Sequence, residues 1–164
     1  MIVGPRRAVL IGAIAAVALT IIFLPVIFTI NAPDFNLITV RLTEVAVGDA
    51  DEQEMDMRVV FVINNPTDLT VTTSRIDYEL LANGMPIGTR TISYEDIPLN
   101  GRPAIFGGES VEIPENFVYE LEDDNTEVYN LILENPDGIN WSVSGTAQIE
   151  STLTSHTATF ENEI

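Results

Sequence analysis

His156 is the single histidine of this 164-residue chain and lies in the run Thr154-Ser155-His156-Thr157. As a general base it would need a serine nucleophile and an orienting carboxylate close in space. Serines and acids are plentiful, but no Gly-x-Ser-x-Gly elbow is present. Gly108-Glu109-Ser110-Val111-Glu112 fails at its last position. His156 therefore reads as an ordinary strand histidine. Cysteine and lysine are both missing. Their absence closes thiol catalysis, thiolate metal sites, disulfides, Schiff-base chemistry, Ser-Lys nucleophiles and Walker-type phosphate binding.

The other reactive groups are the 25 aspartates and glutamates. At that density some pairs fall at glycosidase-like separations by accident, so pairing alone assigns no acid or base. The run Asp49-Ala50-Asp51-Glu52-Gln53-Glu54-Met55-Asp56 begins like an EF-hand loop. Its sixth position is Glu54 rather than glycine and its twelfth is Val60 rather than glutamate. No helices are expected on either side, and a solvated acidic loop is the reading adopted. A second run, Glu120, Glu122, Asp123 and Asp124, precedes an expected helix, where negative charge is favoured by the helix dipole. No catalytic, cofactor-binding or metal-binding residue is assigned, and no cofactor is expected.

Seven arginines against those acids give a net charge of −18, beside 46% hydrophobic residues. So much apolar sequence excludes a charge-rich disordered chain. So few cations exclude an ordinary nucleic-acid binder. Every acid lies at Asp34 or later. The two parts must therefore be read separately.

Ala8 to Ile30 run 23 positions without a charge. As a helix this stretch would span about 34 Å, enough to cross a hydrocarbon core with slight tilt. Arg6, Arg7 and the amino terminus precede it, and Arg41 is the only cation in the twenty residues after it. The positive-inside bias thus keeps residues 1–7 cytoplasmic, makes 8–30 a single-pass signal anchor and sends the remainder outside. A cleaved signal peptide would have a shorter apolar stretch and a small-x-small site, which Ile30-Asn31-Ala32 does not supply. The Arg6-Arg7 pair also matches the start of a twin-arginine export signal.

After a short join, residues 31–36, a second domain is expected over 37–164. Residues 37–46 alternate as a β-strand rich in branched side chains. Met55–Asn64 reads as a central strand stopped by Asn65-Pro66, since proline cannot donate to a ladder. Leu69–Ala82 reads as a long strand whose later half turns Ile76, Tyr78 and Leu80 to the core. Asn83-Gly84 takes the positive φ angles of a type I′ turn and should join it to Met85–Ser93 as a hairpin. Ala104–Phe106 and Ser110–Ile113 are expected to pair across Gly107-Gly108, with Phe117–Leu121 continuing that edge. Asp123–Glu134 is the one expected soluble helix, capped by Asp124 or Asn125, with Val128, Leu131 and Ile132 on one face. Strands over Asn140–Glu150 and Thr152–Phe160 close the chain. About seven strands and one short helix predict a mainly β, immunoglobulin- or fibronectin-III-like sandwich. Asn140-Trp141-Ser142 is an N-glycosylation sequon on the exported side, with Trp141 expected in the core.

The run Arg58-Val59-Val60-Phe61-Val62-Ile63-Asn64-Asn65-Pro66, then Leu69-Thr70-Val71, then Ile76-Asp77-Tyr78-Glu79-Leu80-Leu81-Ala82-Asn83-Gly84-Met85-Pro86-Ile87-Gly88 resembles the late-embryogenesis-abundant (LEA) type 2 family. Its domain is also called the water-stress and hypersensitive-response (WHy) domain. The shared pattern is an apolar strand ending in Asn-Pro, an Ile-x-Tyr-x-Leu segment and an Asn-Gly hairpin. Val143-Ser144-Gly145-Thr146-Ala147-Gln148-Ile149 is similar to the family's closing strand. The resemblance spans roughly 37–160, and Pro98–Glu122 is more acidic and glycine-rich than the family pattern. It implies a small β-sandwich with a helix, without catalytic residues or cofactor, and an association with desiccation and osmotic stress. It carries over no functional residue; Asn65, Pro66, Asn83 and Gly84 are structural by their turn chemistry.

The exported part carries five arginines against 25 acids, a net charge of −20. Such density strains a fold in dilute salt through self-repulsion. In molar salt the screening length shrinks to about 3 Å and the strain largely disappears. Acid-rich, lysine-free surfaces are similar to those of salt-accumulating archaea. The expectation is a membrane-anchored, non-enzymatic stress or envelope domain outside the cytoplasm, contacting lipids or envelope proteins. The alternatives are a lipid- or ligand-binding module, or an accessory subunit of a cell-envelope complex. A hydrolase working through His156 or a carboxylate pair is the third class.

Overall fold

The computed structural model describes residues 5–30, 34–152 and 154–164. The chain divides into two units, Met1–Ala32 and Pro33–Ile164. The first holds one helix, α1 (Pro5–Ile30), which continues through Pro25. It has no acid in its first turn and no basic residue in its last. Thr20 occupies its own hydroxyl by donating to the Ala16 carbonyl at 2.9 Å. Val9–Val26 is long and apolar enough to cross a membrane and is wholly exposed, a description that a signal sequence also meets. Residues 31–33, half of the expected join, and residues 1–4 lie outside the described residues.

The second unit is a two-layer β-sandwich of eight strands: β1 (Thr39–Ala50), β2 (Glu54–Asn65), β3 (Val71–Ala82), β4 (Met85–Ser93), β5 (Ala104–Ile105), β6 (Glu109–Glu120), β7 (Trp141–Glu150) and β8 (Ser155–Glu163). One sheet has the order β1-β2-β6; the other runs β4-β3-β7-β8, with β5 beside the start of β3. All pairs are antiparallel. As expected, β2 is central in its sheet, and it alternates inward Met55, Met57, Val59, Phe61 and Ile63. Facing them from the other sheet are Ile76, Tyr78 and Leu80 of β3 and Val143, Ala147 and Ile149 of β7. Trp141 is buried, as its sequence position predicts.

Two bulges reset which residues face inward. In β1 the register steps from Leu42↔Phe61 to Glu44↔Val60, so Thr43 is the extra residue. Val40 and Leu42 face the core before it, Val45 and Val47 after it. In β3 the register against β7 steps from Thr73↔Ile149 to Arg75↔Gln148. Val71 is inward on one side of Ser74, and Ile76, Tyr78 and Leu80 on the other. An inserted residue flips the two-residue alternation, which no uniform periodicity can anticipate.

Asn83 (φ 50°) and Gly84 (φ 81°) form the expected turn with both central residues at positive φ. The expected pairing of Ala104–Phe106 with Ser110–Ile113 is not made. β5 pairs with β3 (Val71↔Ile105), and β6 pairs along its whole length with β2. Gly107 and Gly108 form the corner at which the chain leaves one sheet for the other. A side chain on Gly107 would meet the Thr67 and Asp68 backbone at 2.7 Å, and Gly108 sits at φ +77°.

The soluble helix α2 spans Thr126–Glu134, three residues shorter than expected at its start. Asn125 occupies the N-cap place, but its side chain makes no cap hydrogen bond. Its Oδ1 accepts from Glu122 N at 2.8 Å, and its Nδ2 donates to Glu120 O at 2.9 Å. The amide is consumed in tying the β6–α2 link. Val128, Tyr129 and Ile132 are the buried face, with Leu131 only half-buried. α2 closes the distal end of the sandwich, where the Tyr119 and Tyr129 rings stack at 5.9 Å. The proximal end is the one at which β1 begins.

Candidate functional site

The chemically capable residues are dispersed over the domain rather than gathered. His156 lies on β8 at the proximal end, its ring stacked on Phe35 at 5.6 Å and 18°. Phe35 belongs to a 3-10 turn, Phe35–Leu37, started by Asp34, whose Oδ1 accepts from Asn36 N at 3.2 Å. Ser110 is the second residue of β6 and donates from its hydroxyl to Asn64 Oδ1 at 3.0 Å, as part of a strand rather than an elbow.

The acidic run 49–56 is the β1–β2 hairpin, flanked by strands. Asp51 Oδ1 accepts from the backbone N–H groups of Gln53 (2.7 Å) and Glu54 (3.0 Å). Those two donors hold the Asp51 carboxyl below its ordinary range. Tyr129 donates its phenolic hydrogen to the Asp51 carbonyl at 2.9 Å, so the hairpin is fastened to α2. Among the described residues no three acids or histidines converge as ligands of one ion. The second run, Glu120 to Asp124, lies on the β6–α2 link described above.

Three of the domain's five arginines do structural work. Arg102 pairs with Glu150 at 2.6 Å and donates to the carbonyls of Ile97 (2.8 Å) and Glu95 (3.3 Å), pinning the β4–β5 loop. Arg75 pairs with Asp77 at 2.7 Å and lies 3.6 Å from Glu95. The Arg75 hydrogen bond, with a second from Thr91, draws the Asp77 carboxyl below its usual value. Arg90 on β4 covers the Phe117 ring of β6 at 3.7 Å, a cation–π contact bridging the two sheets. Beside it, the Tyr78 hydroxyl donates to Glu115 Oε2 at 2.5 Å. Burial, then this bond and charge, raise the Tyr78 phenol far above its ordinary pKa.

Asn65 is a hub that its role as a turn residue does not convey. It is fully buried, and its Nδ2 donates to the carbonyls of Leu69 (2.7 Å), Ile105 (3.0 Å) and Phe106 (3.3 Å). Its Oδ1 accepts from Thr67 N (3.2 Å) and Thr67 Oγ1 (2.7 Å). One amide thus holds the β2–β3 turn and the β5–β6 corner together. Asn83 Oδ1 accepts from Asn140 N at 2.8 Å, and Asn140 O accepts from Asn83 N at 2.9 Å. Asn140 itself is exposed.

Two of the surface grooves among the described residues are roomier than the pocket at the acidic hairpin. One of about 460 Å³ runs over β1, β2 and β6 past Val47, Asp56, Arg58, Asn116 and Val118. The other, about 380 Å³, lies at the proximal end between Thr70, Thr72, Leu99, Ala104, Glu150 and Thr152. Neither includes His156.

Together these features define a β-sandwich domain preceded by an apolar helix, in which Asn65, Asn125, Asn162 and Arg102 fasten turns and sheet edges. No family model matches the chain. No curated protein sequence matches it. Solved structures do. The protein AT1g01470 from Arabidopsis thaliana is 13% identical with a TM-score of 0.52, over 76% of this chain and 79% of that one. The structural-genomics target SoR45 is 11% identical with a TM-score of 0.50, over 78% and 85%. At2g46140.1, described as a late embryogenesis abundant protein, is 12% identical with a TM-score of 0.44, over 97% and 86%. At these identities the likeness is one of fold alone.

Proposed function

We propose that this chain is a membrane-anchored, non-enzymatic domain of the LEA type 2 kind, displayed outside the cytoplasm and adapted to concentrated salt. The observation that carries the reading is where the motif residues stand. Asn65 is the buried hub of the proximal turns. Ile76, Tyr78 and Leu80 form the inward face of a central strand. Asn83-Gly84 makes the positive-φ hairpin. The pattern therefore corresponds to the framework of this sandwich, and a family defined by it would be defined by its scaffold.

The anchor reading draws on the exposed helix, uncharged beyond Arg6 and Arg7 at its start. The salt reading draws on charge: the domain's arginines are outnumbered five to one by acids, and Arg75, Arg90 and Arg102 are already engaged within the fold. A ligand-holding module is less favoured because Phe61, Tyr78 and Phe160 occupy the space between the sheets, with ring centroids 4.8–5.6 Å apart. Fractionation of cells making the full chain tests the anchor. The expected result is sedimentation with membranes through an alkaline wash, release only by detergent, and an intact amino terminus. A soluble product whose sequence begins beyond Ile30 would contradict it.

A further inference from the structure

We propose that the proximal end of the sandwich is itself a lipid-contacting face, with Leu37, Leu69, Leu99 and Phe106 resting in the interfacial layer of the bilayer that α1 crosses. This inference rests on the reading of α1 as a retained span. Among the described residues, large apolar side chains are exposed at eight positions of the domain: Leu37, Leu69, Ile97, Leu99 and Phe106 belong to the proximal turns and the loop that returns to β5, against Val118, Leu121 and Ile164 elsewhere. Leu37 is 52% exposed, Leu69 40%, Leu99 46% and Phe106 56%.

Their grouping is fixed by backbone contacts. The Asn65 amide binds the carbonyls of both Leu69 and Phe106. Leu37 precedes β1, whose first residue Thr39 sits opposite Asn64, so it arrives beside the same turn. Leu99 borders the groove with Thr70 and Ala104, and Ala104 pairs with Thr72 in the strand beginning just after Leu69. On a domain of net charge −20, one end bearing this much uncovered hydrocarbon is a docking surface rather than scatter.

The length of chain specifies the occupant. Four residues separate Ile30, the last of α1, from Phe35, the first of the proximal turn. Fully extended, the five steps between them cover at most about 18 Å. The headgroup layer on each face of a bilayer is about 5–8 Å thick. The domain must therefore begin within a short distance of the lipid surface, and apolar side chains at that end are held near it at high effective concentration. Exposed Asp34 and Asp68 flank the patch, which selects a zwitterionic surface over an anionic one.

The chain has no cysteine, so a single introduced thiol carries a spin label without side products. Four single-cysteine variants of the full chain, Val17→Cys, Leu69→Cys, Phe106→Cys and Leu121→Cys, would be placed in phosphatidylcholine vesicles. Collision rates with oxygen, which concentrates in lipid, and with a water-soluble nickel chelate would then be compared. The expected oxygen-to-nickel ratio at 69 and 106 is several-fold above that at 121, and that at 17 is highest. Ratios at 69 and 106 equal to that at 121, with 17 lipid-like, would overturn this inference and leave the span intact. A water-like value at 17 would overturn the span, and this inference with it.

Discussion

Asn162 and Leu42 are joined by two reciprocal hydrogen bonds: Leu42 N donates to Asn162 Oδ1 at 2.9 Å, and Asn162 Nδ2 donates to Leu42 O at 2.9 Å. The carboxamide imitates a peptide group, so the edge strand β8 of one sheet pairs with the edge strand β1 of the other through a side chain. Thr43, next in sequence, is the bulged residue that turns β1. Replacing Asn162 by alanine strands a backbone N–H and a carbonyl at a half-buried seam. The expected loss is about 1–3 kcal/mol in denaturant unfolding. Asn162→Asp should cost at least as much, because it sets an anionic oxygen against the Leu42 carbonyl and adds to the acid excess. An unchanged midpoint for both variants would show that the seam is held by other contacts.

The tyrosines carry the alkaline pH dependence. All four tyrosines, Tyr78, Tyr94, Tyr119 and Tyr129, have phenol pKa values raised first of all by burial. A folded-state pKa above the unfolded one contributes stability that is complete below the unfolded value, about 10, and lost as pH rises past it. Thermal midpoints should therefore hold steady up to about pH 10 and then fall, with phenolate absorbance appearing in one step together with unfolding. Tyr78→Phe should be less stable at neutral pH and should decline less steeply in alkali. Independent titration of the phenols near 10 in a protein still folded would refute this.

Two glycines separate conformational strain from steric exclusion. Gly84 has φ +81° and open space around the position of a Cβ. Gly84→Ala should cost about 1–2 kcal/mol, the left-handed penalty alone. In Gly145 a Cβ would lie 2.3 Å from the Asp77 carbonyl oxygen and 2.7 Å from the Phe160 ring, between β3 and β8. Gly145→Ala should exceed that cost and disturb the near-ultraviolet circular dichroism as the Phe160 packing shifts. Equal costs at the two positions would contradict the assignment.

Salt should stabilise the domain. The described residues hold only three ion-paired arginine–acid contacts beside an excess of twenty acids. The screening length falls from about 10 Å at 0.1 M salt to about 3 Å at 1 M. In detergent, the full chain's unfolding temperature should rise steeply through the first molar and more slowly to about 4 M, where little repulsion remains to screen. A flat or falling curve would remove the salt adaptation from the proposed function.

The local chemistry of the sequence carried most of the fold. Asn83-Gly84 located a hairpin through its φ preference, and the density of Val and Ile over Met55–Asn64 marked a central strand. What it could not carry depends on partners distant along the chain. Asn65 reads as a strand stop, yet its amide binds carbonyls 40 and 41 residues away. Asn162 sits 120 residues from Leu42. The Thr43 and Ser74 bulges leave each half-strand regular and change only the phase between halves. Gly107-Gly108 permits a hairpin and a corner equally well, and the choice was made by the free edge of β3. Asn125 has the composition of a cap but is drawn away by two groups of the preceding link. The proximal apolar residues are single in sequence and become a patch only when the turns fold together.

The central claim, an anchored domain facing outward, is tested most directly by thiol topology in intact cells. The cysteine-free chain would carry one thiol, either Val3→Cys ahead of α1, which keeps Arg6 and Arg7, or Glu163→Cys near the far terminus. Cells would be treated with a membrane-impermeant maleimide before and after lysis. Labelling is expected at position 163 in intact cells and at position 3 only after lysis. Labelling at 3 in intact cells with 163 protected, or protection of both until lysis, would contradict the anchored, outward-facing domain.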